Sequence, residues 1–210
     1  MYYQKLKKSL SIIRKTPFYP QWFAHLYETS FFRSIGEQAQ GVILDIGCAD
    51  QTIKHYITRH HGYIGLDYYQ TATQWYKTKP HVYADAQSLP FADNSIHTVL
   101  FLDVMEQLPF PDQALKEIHR VLKPQGQYIL QVPFLYPIHD APLDFQRWTC
   151  YGLKIVITQQ GFTLKDLTPR GKPLETAALL LNIALTKSAI NWVGQKTSQS
   201  CYLIPFFSFN

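Results

Sequence analysis

Three aspartates near the ends of predicted strands are the residues whose types and spacing suggest chemistry. Asp45 lies in the apolar run 42–46, whereas Asp67 and Asp85 each follow a later apolar run. In parallel α/β sheets the carboxyl ends of the strands meet at one edge, and ligands bind there. An acid about 20 residues beyond the first strand accepts hydrogen bonds from ribose hydroxyls in nucleotide sites. We therefore predict that Asp67 binds a ribose and that Asp85 meets the amino group of an adenine.

The loop after the first strand indicates which nucleotide-like ligand this edge accepts. A dinucleotide site needs a G-x-G-x-x-G loop, so that the pyrophosphate can approach a helix N-terminus. Here a single glycine, Gly47, is followed by Cys48, Ala49 and Asp50. Because Asp50 would repel a pyrophosphate, a nicotinamide-dependent oxidoreductase is the weaker alternative. A ligand that lacks phosphates and carries positive charge fits better, and S-adenosylmethionine (SAM) meets both demands through its sulfonium and amino groups.

Several further motifs follow in an order that resembles class I SAM-dependent methyltransferases. The resemblance covers roughly residues 40–168 and is carried by the segments 44–48, 65–67, 84–95, 103–109 and 117–126. The chain is similar to the type 11 methyltransferases, and especially to a bacterial subgroup often linked to polysaccharide or other cell-envelope modification. The resemblance implies an α/β fold. We expect a Rossmann-like, mostly parallel sheet with helices on both faces and an N-terminal helical cap.

The same resemblance implies a SAM site along the carboxyl edge of the sheet. Gly47 and Asp45 would hold the methionine portion, Asp67 would hold the ribose, and Asp85 with Ala86 would hold the adenine. The full set of cofactor-binding candidates is Asp45, Gly47, Cys48, Asp67, Tyr68, Asp85, Ala86 and Asp103. We expect Cys48 to be a small packing residue rather than a nucleophile.

Three positions depart from the family pattern and motivate a second hypothesis. Ala49 and Gln51 stand where glycines are common, and Gln107 stands where a histidine is common. Alanine is small enough to be tolerated in this loop if its backbone dihedral angles are ordinary. The alternative function is therefore a SAM-binding protein that has lost catalysis and serves as a regulatory or scaffold partner.

The segment 132–149, after the fifth predicted strand, is rich in aromatic residues and contains three notable polar groups. It resembles the segment that lies over the reaction centre in the bacterial subgroup. His139 is the candidate catalytic base, because its reference pKa near neutrality allows it to take a proton from an acceptor hydroxyl. Asp144 and Arg147 are candidate substrate-binding residues, since Arg147 can hold an anionic acceptor or pair with Asp144. Alternatively, both residues only pin the loop, and His139 caps a backbone carbonyl.

Composition narrows the remaining function classes. The 210 residues are 46% hydrophobic and 17% charged, which is typical of a globular domain. Three widely separated cysteines without a CxxC pair predict no metal site and a cytoplasmic location. Sequence and resemblance together predict SAM-dependent O-methylation of a small-molecule, glycan or lipid-linked acceptor.

The net charge of +5 arises from five cations that precede the first acid, Glu28: Lys5, Lys7, Lys8, Arg14 and Lys15. The rest of the chain is balanced, so we expect no nucleic-acid surface. The early cations form either a solvated face or a peripheral contact with anionic lipid at the inner face of the membrane. Neither a signal peptide nor a membrane-spanning helix is expected, because the apolar stretches are too short.

Apolar runs and turn residues predict alternating strands and helices from residue 42 onward. The predicted strands are 42–46, 63–66, 81–84, 97–102, 127–132 and 163–168, with a last one at 201–207. The predicted helices are 51–60, 70–77, 111–122, 150–160 and 173–193, and a turn at 123–126 is expected to close the helix 111–122. We divide the chain into a helical cap at 1–40, a SAM-binding core at 41–170 and a C-terminal extension at 171–210.

Overall fold

The computed structural model describes Thr16, Tyr19 and residues 22–193. The chain divides into two compact units, one formed by Leu26–Arg170 and the other by Met1–His25 with Gly171–Asn210. The predicted cap, core and extension stay predictions. The basic segment 5–15 and the predicted strand 201–207 lie outside the described residues.

The elements follow one another in the alternating order expected of an α/β chain. In chain order they are α1 (Trp22–His25), α2 (Glu28–Gln38), β1 (Gln40–Ile46), a 3₁₀ helix (Thr52–Tyr56), β2 (Arg59–Asp67), a π-helix (Thr71–Tyr76), β3 (Val82–Tyr83), β4 (Ile96–Leu102), a second 3₁₀ helix (Met105–Gln107), α3 (Pro111–Val121), β5 (Leu122–Gln131), α4 (Cys150–Gln159) and α5 (Pro173–Val193). Within these described ranges, no helix is long and apolar enough to cross a bilayer.

The sheet has five strands in the order β3-β2-β1-β4-β5, and every pairing is parallel. This confirms the predicted α/β class with a Rossmann-like sheet. β1 lies at the centre because its apolar run suits a strand that is buried on both faces. Its register pairs Ile46 with Leu66 of β2 and with Phe101 of β4, so the three strands end at nearly the same level.

Helices cover both faces of the sheet, as predicted, because successive residues of a strand point to opposite sides. On one face, Leu44 of β1 and Phe101 of β4 belong to a core that includes α3 and α4. On the other face, Ile43 of β1 and Leu100 of β4 pack with Ile35 of α2. Burial of these apolar side chains supplies the main stabilisation of the unit.

The predicted strand at 163–168 is absent, and that prediction was wrong. Phe162 instead packs its ring against Tyr128 of β5, with 5.1 Å between the centroids. It also meets His119 of α3. The residues that follow are mostly exposed, so this segment has little apolar surface to bury in a sixth strand.

Two other boundaries differ from the prediction. The predicted helix 51–60 shortens to the 3₁₀ helix Thr52–Tyr56, because β2 begins at Arg59, which pairs with Gln40 of β1. The predicted turn at 123–126 is instead a bulge within β5. Ile96 of β4 pairs with Leu122 of β5, and the next pair is Thr98 with Gln127, so the extra residues lie in β5.

Phe101 at the centre of the core should be among the most costly residues to truncate. Phe101→Ala is expected to lower the free energy of unfolding by about 3–5 kcal/mol, because a large buried ring leaves a cavity. Phe110→Ala is the matched control, since Phe110 is 63% exposed and Phe101 is 0% exposed. Urea unfolding followed by circular dichroism measures both variants, and equal effects would contradict the core assignment of Phe101.

Candidate functional site

The parallel sheet brings several of the predicted acids to its carboxyl edge. Asp67 ends β2, and Asp103 directly follows β4. Asp85 lies two residues beyond β3, where the preceding Ala84 donates its N–H to the carbonyl oxygen of Asp67 at 3.1 Å. Asp45 is in β1, one residue before its end. The predicted spacing therefore corresponds to a real grouping at one edge of the sheet.

Gly47 allows the loop after β1 to pass close to the segment after β4. Its φ is +74°, and a Cβ atom at this position would lie 2.2 Å from Cγ2 of Val104. Any side chain would therefore meet both backbone strain and a steric clash. The loop is tied to β2 because the N–H groups of Gly47 and Cys48 donate to the carbonyl of Leu66 at 2.8 and 3.1 Å.

The two positions that lack the glycines common in the family have backbone angles that favour glycine. Ala49 has φ +41° and Gln51 has φ +59°, so the condition set for alanine at position 49, ordinary backbone dihedral angles, is not met. A left-handed conformation costs an L-residue roughly 1–2 kcal/mol. Two hydrogen bonds offset this strain. The N–H of Ala49 donates to Asp67 Oδ2 at 3.0 Å, and the Gln51 side-chain amide donates to the carbonyl of Lys79 at 3.1 Å.

Asp67 organises this loop through a carboxylate that is only 4% exposed. Besides the bond from Ala49, it accepts hydrogen bonds from the N–H of Tyr68 at 2.7 Å and from the hydroxyl of Thr71 at 2.8 Å. A carboxylate has about four lone-pair sites. Three are used within the chain, and one remains for a ligand hydroxyl.

Asp45 lies beneath the edge rather than on it. It is 3% exposed and accepts a short hydrogen bond from the Tyr63 hydroxyl. Burial raises the pKa of Asp45 to about 7, while the bond from Tyr63 opposes the shift and the charge of Asp67 adds to it. The side chain is therefore close to its titration midpoint at neutral pH.

The remaining cofactor candidates have different surroundings. The Cys48 thiol is buried, and burial raises its pKa to about 12, which makes it a packing residue rather than a nucleophile.

The Ala86 methyl group packs in the core. Asp85 accepts the N–H of Gln87 at 2.8 Å, and the Tyr68 side chain is 49% exposed. Asp103 is exposed, and its carboxylate accepts a short hydrogen bond from the Gln131 side-chain amide.

The post-β5 loop, residues 132–149, is held by Arg147. The guanidinium makes a two-pronged contact with both carboxylate oxygens of Asp144. Its remaining N–H groups donate to the carbonyls of Tyr136, Pro137 and Gln146. These bonds account for all five N–H donors of an arginine. The geometry therefore favours the second interpretation of this pair, in which Asp144 and Arg147 pin the loop.

His139 projects from the same loop between two carboxyl groups. Its Nδ1 lies 3.2 Å from Oδ2 of Asp144, and its Nε2 lies 3.9 Å from Oε1 of Glu106. The loop is joined to the segment after β4, because Phe145 donates its N–H to the Glu106 carbonyl at 2.9 Å. The His139 side chain remains 27% exposed, so a substrate can reach it.

Comparison with known proteins identifies one segment of the chain. Residues 44–130 match the family model of a methyltransferase domain. Over 141 residues the chain is 31% identical to a ubiquinone/menaquinone biosynthesis C-methyltransferase of Haemophilus ducreyi, which covers 67% of this chain and 48% of that protein. The chain thus spans about half the length of this curated relative.

Solved structures share the fold of this methyltransferase domain. A SAM-dependent methyltransferase of Mesorhizobium loti aligns with TM-score 0.54 and 12% identity, over 75% of this chain and 91% of that chain. The [4+2]-cyclase SpnF also aligns with TM-score 0.54, at 18% identity over 77% of this chain and 67% of that chain. At these identities the likeness shows the fold alone. The family agrees with SAM as the cofactor predicted from the loop and the acids.

The carboxyl edge of the methyltransferase domain suits such a cofactor. The acids Asp50, Asp67, Asp85 and Asp103 follow four successive strands, so the edge favours a cation over a polyphosphate. Asp67 keeps a lone-pair site for a hydroxyl, and Gly47 allows its loop to pass close to Val104. The described residues contain no group of His, Cys, Asp and Glu that could hold a metal ion.

Glu106 is the residue that sequence reasoning missed. It lies within the motif 103–109 but was assigned no role from the sequence. In the structure Glu106 is 0% exposed, and neither carboxyl oxygen has a hydrogen-bond partner among the described residues. The apolar residues that precede it in the sequence were the only signal that could have indicated its burial.

The raised pKa of Asp45 predicts a specific pH dependence of stability. The folded pKa is about 7 and the ordinary value is 3.8. The folded state thus keeps a proton that the unfolded state loses, so stability falls as pH rises through this window. Asp45→Asn, which cannot ionise, should lose less stability than the wild type between pH 5 and 8. We expect a difference of roughly 3 kcal/mol, since one pKa unit corresponds to about 1.4 kcal/mol.

Urea unfolding at the two pH values tests this expectation. Asp112→Asn on the exposed surface of α3 is the matched control and should follow the wild type. Parallel losses in the wild type and Asp45→Asn would show that Asp45 ionises normally.

Proposed function

We propose that this protein transfers a methyl group from SAM to a hydroxyl oxygen of an acceptor, with His139 as the base. The observation that carries the proposal is the position of His139. It is held by Asp144 in the loop that follows β5, at the carboxyl edge that holds the predicted cofactor residues. SAM, when bound, supplies an activated methyl group, so the protein mainly supplies alignment and proton removal.

The proposed cofactor contacts follow from the loop after β1 and the acids after β2 and β3. Asp67 accepts from the ribose hydroxyls through its remaining lone-pair site. Asp85 and the backbone of Ala86 meet the adenine, and the backbone of Gly47 lies along the methionine portion. Asp45 is buried in β1 below this loop and acts on the cofactor only through its charge. Tyr68, exposed next to Asp67, offers a ring to the nucleoside.

The proposed base has a defined proton arrangement. Nδ1 of His139 lies 3.2 Å from Oδ2 of Asp144 and 3.4 Å from Nη2 of Arg147. We assign the proton to Nδ1, the tautomer in which this nitrogen faces the nearer carboxylate as a donor. Nε2 is then the unprotonated nitrogen. The proton of the acceptor hydroxyl passes to Nε2 as the oxygen forms its bond to the methyl carbon. Arg147 acts through Asp144, whose pKa it lowers by hydrogen bonding.

The surface of the post-β5 loop supports an acceptor with an apolar portion. Phe134, Leu135, Ile138 and Phe145 are large apolar residues that are 49–72% exposed. Exposed apolar groups that cluster in one loop are typical of binding surfaces. We therefore favour a lipid-linked or aromatic acceptor over an unmodified glycan. Cytoplasmic location and membrane contact through the basic N-terminal residues stay predictions.

Two alternatives have specific support. The first is methyl transfer to a carbon atom. The curated relative is named as a C-methyltransferase, and removing the proton from a ring hydroxyl also makes a conjugated ring carbon nucleophilic. The second is a SAM-binding protein without catalysis, which is motivated by Ala49 and Gln51, two residues with positive φ angles where the family commonly has glycines.

Cofactor binding is the first test. Titration calorimetry should detect binding of both SAM and S-adenosylhomocysteine. Asp67→Asn should weaken binding at least tenfold, because hydrogen bonds to an ionised group contribute about 1.5–3 kcal/mol. Asp112→Asn is the control and should bind like the wild type. No binding of either ligand by the wild-type chain would exclude methyl transfer.

Turnover tests the base. His139→Ala should leave SAM affinity within a few-fold and lower turnover about 10²–10⁴-fold, the usual contribution of a general base. SAM with a ¹³C-labelled methyl group, incubated with phenols, hydroquinones and polyprenyl-linked sugars, reports transfer by NMR. The product shift distinguishes an O-methyl from a C-methyl group. An unchanged rate over the whole pH range would refute the role of His139, and binding without any transfer would favour the non-catalytic alternative.

A further inference from the structure

Glu106 is a buried acid that no step of the proposed reaction uses. It belongs to the 3₁₀ helix after β4, and its carboxyl group is completely shielded from solvent. Both of its oxygens lack a hydrogen-bond partner among the described residues. A buried carboxylate without a partner is costly. The position therefore needs a physical explanation.

The surroundings of Glu106 contain one group that it faces directly. Its Oε1 is 3.9 Å from Nε2 of His139, which is slightly beyond hydrogen-bonding distance. Contacts of this length often tighten when a catalytic complex forms. The charged and titratable groups around the pair are Asp103 on the segment after β4, and Tyr136, Asp144 and Arg147 on the post-β5 loop.

His139 is therefore flanked by two carboxyl groups whose environments differ. Asp144 receives the two-pronged contact from Arg147, which holds the pKa of Asp144 below its usual range. Glu106 receives no such contact. Burial, with the charge of Asp103 adding to it, raises the pKa of Glu106 to about 8. Different environments for two neighbouring acids assign them different protonation states.

We infer that Glu106 is a positioning residue that stays protonated near neutral pH and thereby keeps Nε2 of His139 free to accept a proton. If both flanking carboxyl groups were ionised, they would stabilise the imidazolium ion and remove the base. A neutral Glu106 leaves only the orienting charge of Asp144. This inference rests on the proposed role of His139, and it adds a second acid that sets the working pH.

The proton balance of the step is simple. The acceptor hydroxyl loses its proton to Nε2, and His139 becomes an imidazolium ion between Asp144 and Glu106. Glu106 keeps its own proton throughout this step. The original state returns when the imidazolium ion releases its proton to solvent through the exposed part of the His139 ring. No electron transfer and no other reactant are required.

NMR titration tests the inference without a cofactor or an acceptor. In the wild-type chain, the carboxyl carbon of Glu106 should titrate above pH 6.5, several units above the ordinary range of glutamate. The ring signals of His139, assigned by their loss in His139→Ala, should show two coupled transitions. A Glu106 midpoint below pH 5 would overturn the inference, and this measurement depends on no variant of Glu106.

Glu106→Gln supplies the matched substitution because glutamine imitates the protonated acid in shape. The second transition of His139 should disappear, and the first should remain in place, because the charge next to the ring is the same as in the wild type below the Glu106 midpoint. Asp112→Asn is the control and should leave both transitions in place. Identical His139 titrations in the wild type and Glu106→Gln would assign Glu106 a merely structural role.

A kinetic measurement completes the test once an acceptor is found. Glu106→Gln should retain turnover near pH 7 within a few-fold and should lose the alkaline limb of the kcat profile, with KM for SAM unchanged. Loss of turnover at every pH would show that the negative charge is needed and would overturn the inference. Failure of SAM to bind would instead refute the proposed function and leave the NMR results unaffected.

Discussion

The parallel pairing of β1 with β2 on one side and β4 on the other is the constraint on which the rest of the site depends. Because Ile46, Leu66 and Phe101 lie side by side, the connections that leave these strands start at one level and compete for the same space. A side chain at residue 47 would strike Val104. Close packing of neighbouring loops thus imposes glycine at one position and directs the carboxylate of Asp67 toward the loop after β1.

Hydrogen bonding divides the polar groups of this edge into those that hold the structure and those left for chemistry. Arg147 donates to acceptors within its own loop, and Arg120 does the same for the segment after β3, where it binds the carbonyls of Leu89 and Phe91. Saturated donors of this kind stabilise loops that lack regular secondary structure. His139 and Glu106 are different, because one keeps an exposed ring and the other has no partner among the described residues.

Prediction from sequence succeeded where a local pattern and the tertiary packing agree. The strands at 42–46 and 97–102 and the helices at 111–122 and 173–193 appear within two residues of their predicted bounds. Prediction failed at 163–168, where a sixth strand of the α/β alternation was expected. A strand forms only where its backbone can pair with a neighbouring strand. Here the chain packs Phe162 against Tyr128 and does not pair with the sheet.

The linear order of acids, apolar runs and turn residues, together with the family resemblance, was sufficient to predict the sheet and the class of cofactor. Each of those features depends on neighbours close in the chain or on the regular geometry of parallel strands. The protonation of Asp45 and Glu106, the saturation of Arg147 and the left-handed backbone of Ala49 were settled only by the folded structure. Burial and hydrogen-bond partners come from residues that are distant in sequence, and free energies of desolvation depend on that three-dimensional environment.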